Sequence, residues 1–307
     1  VDENRQKKVN LIFKLSACTL SLSAIMLALS LIKTVPLPQR VYRPEVESAS
    51  TQQPPIPINS ENLPAPIISA KSFIVKDADS GTVLTSQNEN EKLFPASTTK
   101  ILTALVALEE YRLEDVVTIG HLVGSNLKPT FVTGEKITVE NLLYALLVES
   151  NNDAAYALAD YNPAGRNDFI RLMNEKVKEL GLTNTHFVNP AGFDDPGQYT
   201  SASDLALIGA FAMSHPVFAR IVGTEASEVF SADQSTQHSL VNINQLLGSL
   251  PGVRGIKTGY TEAAGENLVT DVVRDDHEII AVVLGSKNRF EDTQALVNWA
   301  YSNFTWR

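Results

Sequence analysis

GIKTGYTEAAGENLVTDVVRDDHEIIAVVL, residues 255–284, reads as three strands laid down in hairpin order. Gly255 to Thr258, Asn267 to Val273 and Glu278 to Leu284 carry the β-branched residues, and the turn residues Glu262 to Gly265 and Asp275-Asp276 separate them. Further upstream, Ser72 to Asp77 and Thr82 to Thr85 flank the turn Ala78-Asp-Ser-Gly81 as a hairpin. Asp77 and Asp79 have the spacing of a calcium loop, but the twelfth position is Asn88 instead of Glu, so this segment is a turn. Between hairpin and strand triplet, apolar residues recur at helical spacing over Ile101 to Leu108, Val139 to Leu147, Asp153 to Leu158, Phe169 to Leu180 and Leu205 to Met213. A last amphipathic helix, with Phe290, Leu296, Trp299 and Phe304 on one side, closes the chain. A strand hairpin, a helical block, three more strands and a helix make an α+β fold with an antiparallel sheet.

N-terminal to that folded region the composition changes twice. Leu15 to Ile32 is eighteen residues without a charge, preceded by Arg5, Lys7, Lys8 and Lys14. A run of this length spans a bilayer as a helix, and the basic residues before it favour a cytoplasmic N-terminus. The alternative is a cleaved signal peptide, although no Ala-x-Ala site follows the run. From Val35 to Ile67 lie eight of the fifteen prolines, among Ser, Gln and Asn. That stretch has no core-forming periodicity and favours extended polyproline conformations, a spacer reaching up to ~100 Å. The expected organisation is a cytoplasmic tail at 1–8, a transmembrane signal-anchor helix at 9–34, a Pro-rich extracytoplasmic linker at 35–68 and a folded domain at 69–307.

Composition removes several function classes. A net charge of −10 argues against nucleic acid as a partner, because gripping phosphates needs a basic face. The single cysteine, Cys18, excludes an intrachain disulfide and a Cys-based metal site. The five histidines form no HExxH pair or other close set of ligands, so a zinc hydrolase is not expected.

Three short motifs carry chemistry: Ser97-Thr-Thr-Lys100, Ser150-Asn-Asn152 and Lys257-Thr-Gly259. Each is weak alone, since S-x-x-K recurs at Ser30 and Ser125 and S-x-N at Ser60, Ser86 and Ser286. Order and context discriminate. Ser97 begins a helix after Pro95-Ala96, Ser150 ends a helix, and Lys257 lies on a strand that borders the sheet. By contrast, Pro129 follows Lys128 and disfavours helix there. Residues three apart on a helix share a face, so Lys100 reaches the Ser97 hydroxyl. A serine becomes nucleophilic only when a base takes its proton, and a lysine is such a base only when burial or a nearby cation lowers its pKa. Lys257 supplies that cation. The Ser150 hydroxyl can relay a proton to a leaving amine, and Asn152 can donate to a substrate carbonyl. Gly259 leaves room for a peptide along the strand, where the Lys257 and Thr258 side chains meet its carboxylate.

With these motifs in this order, the chain resembles the low-molecular-mass penicillin-binding proteins, the serine D-alanyl-D-alanine carboxypeptidases. The likeness extends over about Ala70 to Phe304, through Leu93 to Ala104, Glu149 to Ala154, Asn184 to Gly192, Tyr199 to Ala206, Gly255 to Thr261 and Ala281 to Gly285. It implies a DD-peptidase/β-lactamase-like fold: a five-stranded antiparallel sheet flanked by helices, with a helical subdomain that carries the S-x-N motif. It also implies that Ser97 is acylated, Lys100 is its base, and Ser150 and Asn152 line one wall of the cleft opposite Lys257, Thr258 and Gly259. The oxyanion hole is then the N–H groups of Ser97 and Tyr260, and Arg289 helps to hold the substrate carboxylate. Peptidoglycan stem peptides are the implied substrate and β-lactams the covalent inhibitors. Neither metal nor organic cofactor is implied.

Three rivals remain. A serine β-lactamase shares two of the motifs, but no E-x-x-L-N block for water activation lies between Ser150 and Lys257. A D,D-endopeptidase of wall crosslinks has the same motifs. A non-catalytic wall-binding scaffold would not need Ser97, Lys100 and Lys257 intact.

Overall fold

The computed structural model describes residues 55–120, 122–123 and 130–307. The apolar run at 15–32 and the S-x-x-K stretches that begin at Ser30 and Ser125 lie outside these residues. The five expected strands form one sheet: β2 (Ser72–Asp77), β3 (Val83–Gln87), β8 (Val253–Thr261), β9 (Gly265–Arg274) and β10 (His277–Ser286), in the order β3-β2-β10-β9-β8. Every neighbouring pair is antiparallel, and β8 is an edge. Alternation sorts the side chains. Ile280, Val282 and Leu284 enter one hydrophobic cluster, whereas Ile279, Ala281 and Val283 enter another on the opposite face. With both faces covered, the central strands read as nearly unbroken apolar runs.

Seven helices are present among the described residues: α1 (Lys100–Glu110), α2 (Val139–Leu147), α3 (Asn152–Asp160), α4 (Arg166–Glu179), α5 (Ala202–Met213), α6 (Pro216–Val222) and α7 (Arg289–Asn303). Helix α7 covers one face of the sheet with Leu296, Val297 and Ala300. Helices α1 and α5 lie on the other face, and α2, α3 and α4 stack against α1. Residues 100–107 of α1 are all buried, as befits a helix enclosed on every side. No single helix among the described residues is long and apolar enough to cross a membrane.

Five features depart from the sequence reading. Helix α6 and the small hairpins β4 (Val116–Thr118) with β5 (Lys136–Thr138) and β6 (Ala226–Phe230) with β7 (Gln237–Val241) were not expected. Phe304, read as part of the last helix, adopts an extended conformation and opens strand β11 (Phe304–Trp306). That strand pairs with β1 (Pro57–Asn59), so the folded domain takes in residues that composition assigned to the 35–68 linker. The Asn303 carbonyl accepts from Ser60 N at 2.9 Å, its side-chain oxygen accepts from Leu63 N at 2.9 Å, and Trp299 Nε1 donates to the Leu63 carbonyl. A fragment starting at residue 69 is therefore expected to be less stable than one starting at 55, by about 1–3 kcal/mol from the lost hydrogen bonds. Both should be equally active. Thermal melts of the two fragments check this, and identical curves would refute a stabilising role for the N-terminal strand.

Candidate active site

The nucleophile turn comes first. Pro95 and Ala96 lead into a 3₁₀ turn, Ala96–Thr99, and α1 begins at Lys100. Side chains three apart eclipse in a 3₁₀ turn, and this brings Lys100 Nζ to 2.8 Å from Ser97 Oγ. Thr98 Oγ1 closes the turn by donating to the Pro95 carbonyl at 2.7 Å. Asn267, wholly buried on β9, donates its Nδ2 to the Phe94 and Pro95 carbonyls and accepts from Gly285 N. The segment before the nucleophile is thus fastened to the sheet.

The second motif is a turn between helices. Ser150 adopts a left-handed conformation, with φ 63°, between α2 and α3. Asn151 caps α3 by accepting from Ala154 N at 2.9 Å, which sets Asn152 at the first helical position. Asn152 Oδ1 accepts from Lys100 Nζ at 2.7 Å. This contact adds to the substrate-facing role read from sequence.

On the opposite side, β8 carries Lys257, Thr258 and Gly259. A Cβ built on Gly259 would stand 3.0 Å from Ser97 N and 3.1 Å from the Pro95 carbonyl oxygen. The glycine therefore makes room for the nucleophile turn itself, where the sequence reading assigned that room to substrate. Arg289, at the start of α7, donates from Nη1 to the Gly259 carbonyl at 3.0 Å. Thr258 Oγ1 and Arg289 Nε are buried without a hydrogen-bond partner.

These pieces enclose a cleft of about 360 Å³ lined by Ser97, Ser150, Asn152, Thr258, Gly259, Tyr260 and Arg289, together with Glu149, Ile243 and Glu266. Tyr260 is 62% exposed at its lip. Lys100 and Lys257 lie beneath, at 0% and 1% exposure. The nine residues singled out in the sequence are thus brought together. Lys100 bonds to Ser97, Asn152 and the Ala191 carbonyl, while Ser150 stands on the wall. Among the described residues no group of three or more His, Cys, Asp or Glu side chains is placed to hold a metal.

Electrostatics favour a neutral lysine. Burial, reinforced by the charge of Lys257, holds the Lys100 amine well below its ordinary value. Lys257 itself is pushed down to about 7 by burial and then by Arg289. Burial lowers Arg289, opposed by Glu266.

Lys100 Nζ has three neighbours: Ser97 Oγ at 2.8 Å, Asn152 Oδ1 at 2.7 Å and the Ala191 carbonyl oxygen at 2.8 Å. A neutral amine has two N–H bonds and one lone pair. The two carbonyl oxygens only accept, so they take the N–H bonds. The lone pair is left facing the Ser97 hydroxyl, which donates to it. This arrangement can deprotonate Ser97 as its oxygen attacks a carbonyl carbon. Sequence reasoning missed the Ala191 carbonyl and Asn267. The sequence marks Asn184 to Gly192 only through the resemblance.

Comparison with known proteins gives a consistent result. The sequence model of the D-alanyl-D-alanine carboxypeptidases, Peptidase_S11, matches residues 59–288. The chain is 34% identical over 267 residues to D-alanyl-D-alanine carboxypeptidase DacD of Escherichia coli (strain K12), covering 80% of this chain and 68% of that protein. The chain spans about two thirds of the length of four curated relatives it matches, 63–68%. Among solved structures, the Streptomyces K15 DD-transpeptidase superposes with a TM-score of 0.73 at 31% identity, over 78% of this chain and 100% of that one. Penicillin-Binding Protein D2 from Listeria monocytogenes, in its ampicillin-bound form, gives 0.68 at 28% identity, over 78% and 100%.

Proposed function

Since the chain belongs to the D-alanyl-D-alanine carboxypeptidase family, we propose that it removes the terminal D-alanine from peptidoglycan stem peptides through a Ser97 acyl-enzyme. The observation that carries this reading is the Lys100 amine, buried and held by two carbonyl acceptors so that its lone pair meets Ser97 Oγ. In the first step the Ser97 proton passes to Lys100 while Oγ bonds to the carbonyl carbon of the penultimate D-alanine. The oxyanion is received by the N–H groups of Ser97 and Tyr260. This reading is supported by Gly259, which lets the sheet edge approach Ser97 N. The C–N bond then breaks, and the proton returns from Lys100 through the Ser150 hydroxyl to the departing amine of D-alanine. Water attacks the ester in the second half, giving a carboxylate and restoring Ser97. The unpartnered Thr258 hydroxyl and Arg289 Nε, with Lys257, receive the terminal carboxylate of the substrate.

A β-lactam acylates Ser97 by the same first step and remains bound. The apolar run at 15–32 anchors the domain in the cell membrane, with the catalytic domain outside the cytoplasm. The runner-up activity, D,D-endopeptidase cleavage of crosslinks, differs only in what the amine leaving group carries. Mass spectrometry of the full chain incubated with a pentapeptide, with a crosslinked dimer and with benzylpenicillin tests the assignment. The expected results are loss of one D-alanine from the pentapeptide and a stable penicillin adduct on the peptide containing Ser97. Cleavage of the dimer alone would favour the endopeptidase, and adduct formation elsewhere would overturn the nucleophile.

A further inference from the structure

The Ala191 carbonyl that takes one Lys100 N–H lies in the irregular segment between α4 and α5, and its direction needs a cause. A peptide unit is planar, with its C=O and N–H pointing in opposite directions. The unit that joins Ala191 to Gly192 therefore offers its carbonyl to Lys100 on one side and the Gly192 N–H on the other. That N–H donates to Asn189 Oδ1 at 2.8 Å. The same oxygen accepts from Phe193 N at 3.0 Å and Ala191 N at 3.2 Å, and Asn189 Nδ2 donates to the Phe193 carbonyl at 3.0 Å. Gln198, wholly buried, accepts from Asn189 N at 2.9 Å and reaches Thr99 Oγ1 in the nucleophile turn with its Nε2.

We propose that Asn189 is a positioning residue for the base: its side-chain oxygen fixes the 191–192 peptide plane, that plane fixes one N–H of Lys100, and the Lys100 lone pair is thereby aimed at Ser97. The inference rests on Lys100 acting as the base. Without the Asn189 oxygen the peptide is free to turn, and the amine loses one of the two acceptors that orient it. The Ala191 carbonyl also favours the protonated amine, so its withdrawal makes Lys100 easier to deprotonate. The rate then falls although more of the base is in its active form. A carboxylate at 189 keeps the acceptor and adds a negative charge, which favours the protonated amine. The titratable group that acts on Lys100 from the strand side, Lys257, is unchanged in either variant.

The test is the second-order rate of Ser97 acylation by benzylpenicillin, measured across pH on the full chain in detergent, for wild type, Asn189→Ala and Asn189→Asp. Asn189→Ala should lower the plateau by about 10- to 100-fold, the size of loss that misplacement by an ångström brings. Its acid limb should move to lower pH. Asn189→Asp should keep a plateau within about fivefold of wild type, with the limb moved to higher pH. An Asn189→Ala plateau within about twofold of wild type would overturn the proposal. So would limbs that stay in place in both variants, because a purely structural loss lowers the amplitude alone, or an Asn189→Asp enzyme no better than Asn189→Ala. If wild type itself forms no Ser97 adduct, it is the functional reading that fails; a wild type that acylates normally while the variants fail to diverge sinks only the role of Asn189.

Discussion

Lys100→Arg lowers the rate of Ser97 acylation by roughly 10²- to 10⁴-fold, the range that a positioned general base supplies, while Lys257→Arg retains a readily measured fraction. A guanidinium stays protonated throughout the accessible pH range and has no lone pair to offer Ser97. Lys100 also fills a site of zero exposure, so the larger head displaces Asn152 or the Ala191 carbonyl as it enters. Lys257 needs only to be a cation. The signs follow from its position. Below about pH 7 Lys257 is charged and lowers the Lys100 pKa, and in the proposed function it then attracts the substrate carboxylate. As pH rises the pair loses protons, the base is freed, and acylation by β-lactam climbs along a limb that belongs to both lysines together. For a peptide substrate, and equally for a penicillin, which carries a carboxylate of its own, kcat/KM turns down again once Lys257 is neutral, because the carboxylate then loses that attraction. In Lys257→Arg the cation persists, so this alkaline decline should vanish. The measurement is kcat/KM for one β-lactam and one peptide across pH for both variants. Equal losses in the two, or a Lys100→Arg enzyme that acylates at near wild-type rate, would refute this division of roles.

Gly192→Ala is expected to cost acylation at least about 10²-fold, through geometry alone. A Cβ on Gly192 would lie 1.8 Å from the Ala96 carbonyl oxygen, 2.3 Å from its carbon and 3.0 Å from Ser97 N. All three are backbone atoms of the nucleophile turn, so no side chain can swing aside to relieve the overlap. Relief has to move either Ser97 or the 191–192 peptide that orients Lys100. Gly192 also has φ +94°, a conformation that costs other residues about 1–3 kcal/mol. Gly181→Ala separates the two causes. It has φ +69° with nothing within 4 Å of its virtual Cβ, so it carries the conformational cost without the collision. Gly181→Ala should melt slightly earlier and acylate normally. Normal acylation by Gly192→Ala would show that the contact with Ala96 has no bearing on the nucleophile.

The elements legible in the sequence were those with enough residues to display a period. Strands β9 and β10 have ten residues each, and α2 was bounded correctly at Val139–Leu147. Strands β4 and β5 have three residues each, too short for alternation to register, while β6 and β7 are as long as the legible β3 but lack between them a glycine-bearing turn like Ala78 to Gly81. Pro57–Asn59 was hidden because its partner is at the other end of the chain, and a proline-rich composition says nothing about a strand that pairs at a domain edge. The site divides in the same way. In the proposed reaction Ser97, Lys100, Asn152 and Lys257 act through side chains at the ends or edges of elements, and side chains are what a sequence records. The Ala191 carbonyl acts through the backbone, which every residue has. Asn189, Gln198 and Asn267 act by holding backbone in place, and only the folded geometry separates them from any other polar residue.

The pairing of β1 with β11 also decides where the chain enters and leaves. Ile56 N donates to the Arg307 carbonyl at 3.0 Å, and Arg307 N donates to the Ile56 carbonyl at 3.3 Å, so the two extremities of the catalytic domain are side by side. Residues 56 and 307 therefore lie at one place on the domain, while the cleft is built by other elements. Topologically the domain is close to a closed ring. A short linker joining 307 to 55 would complete that ring, and new termini opened at an exposed loop would yield a circular permutant with the Ser97, Ser150 and Lys257 motifs undisturbed.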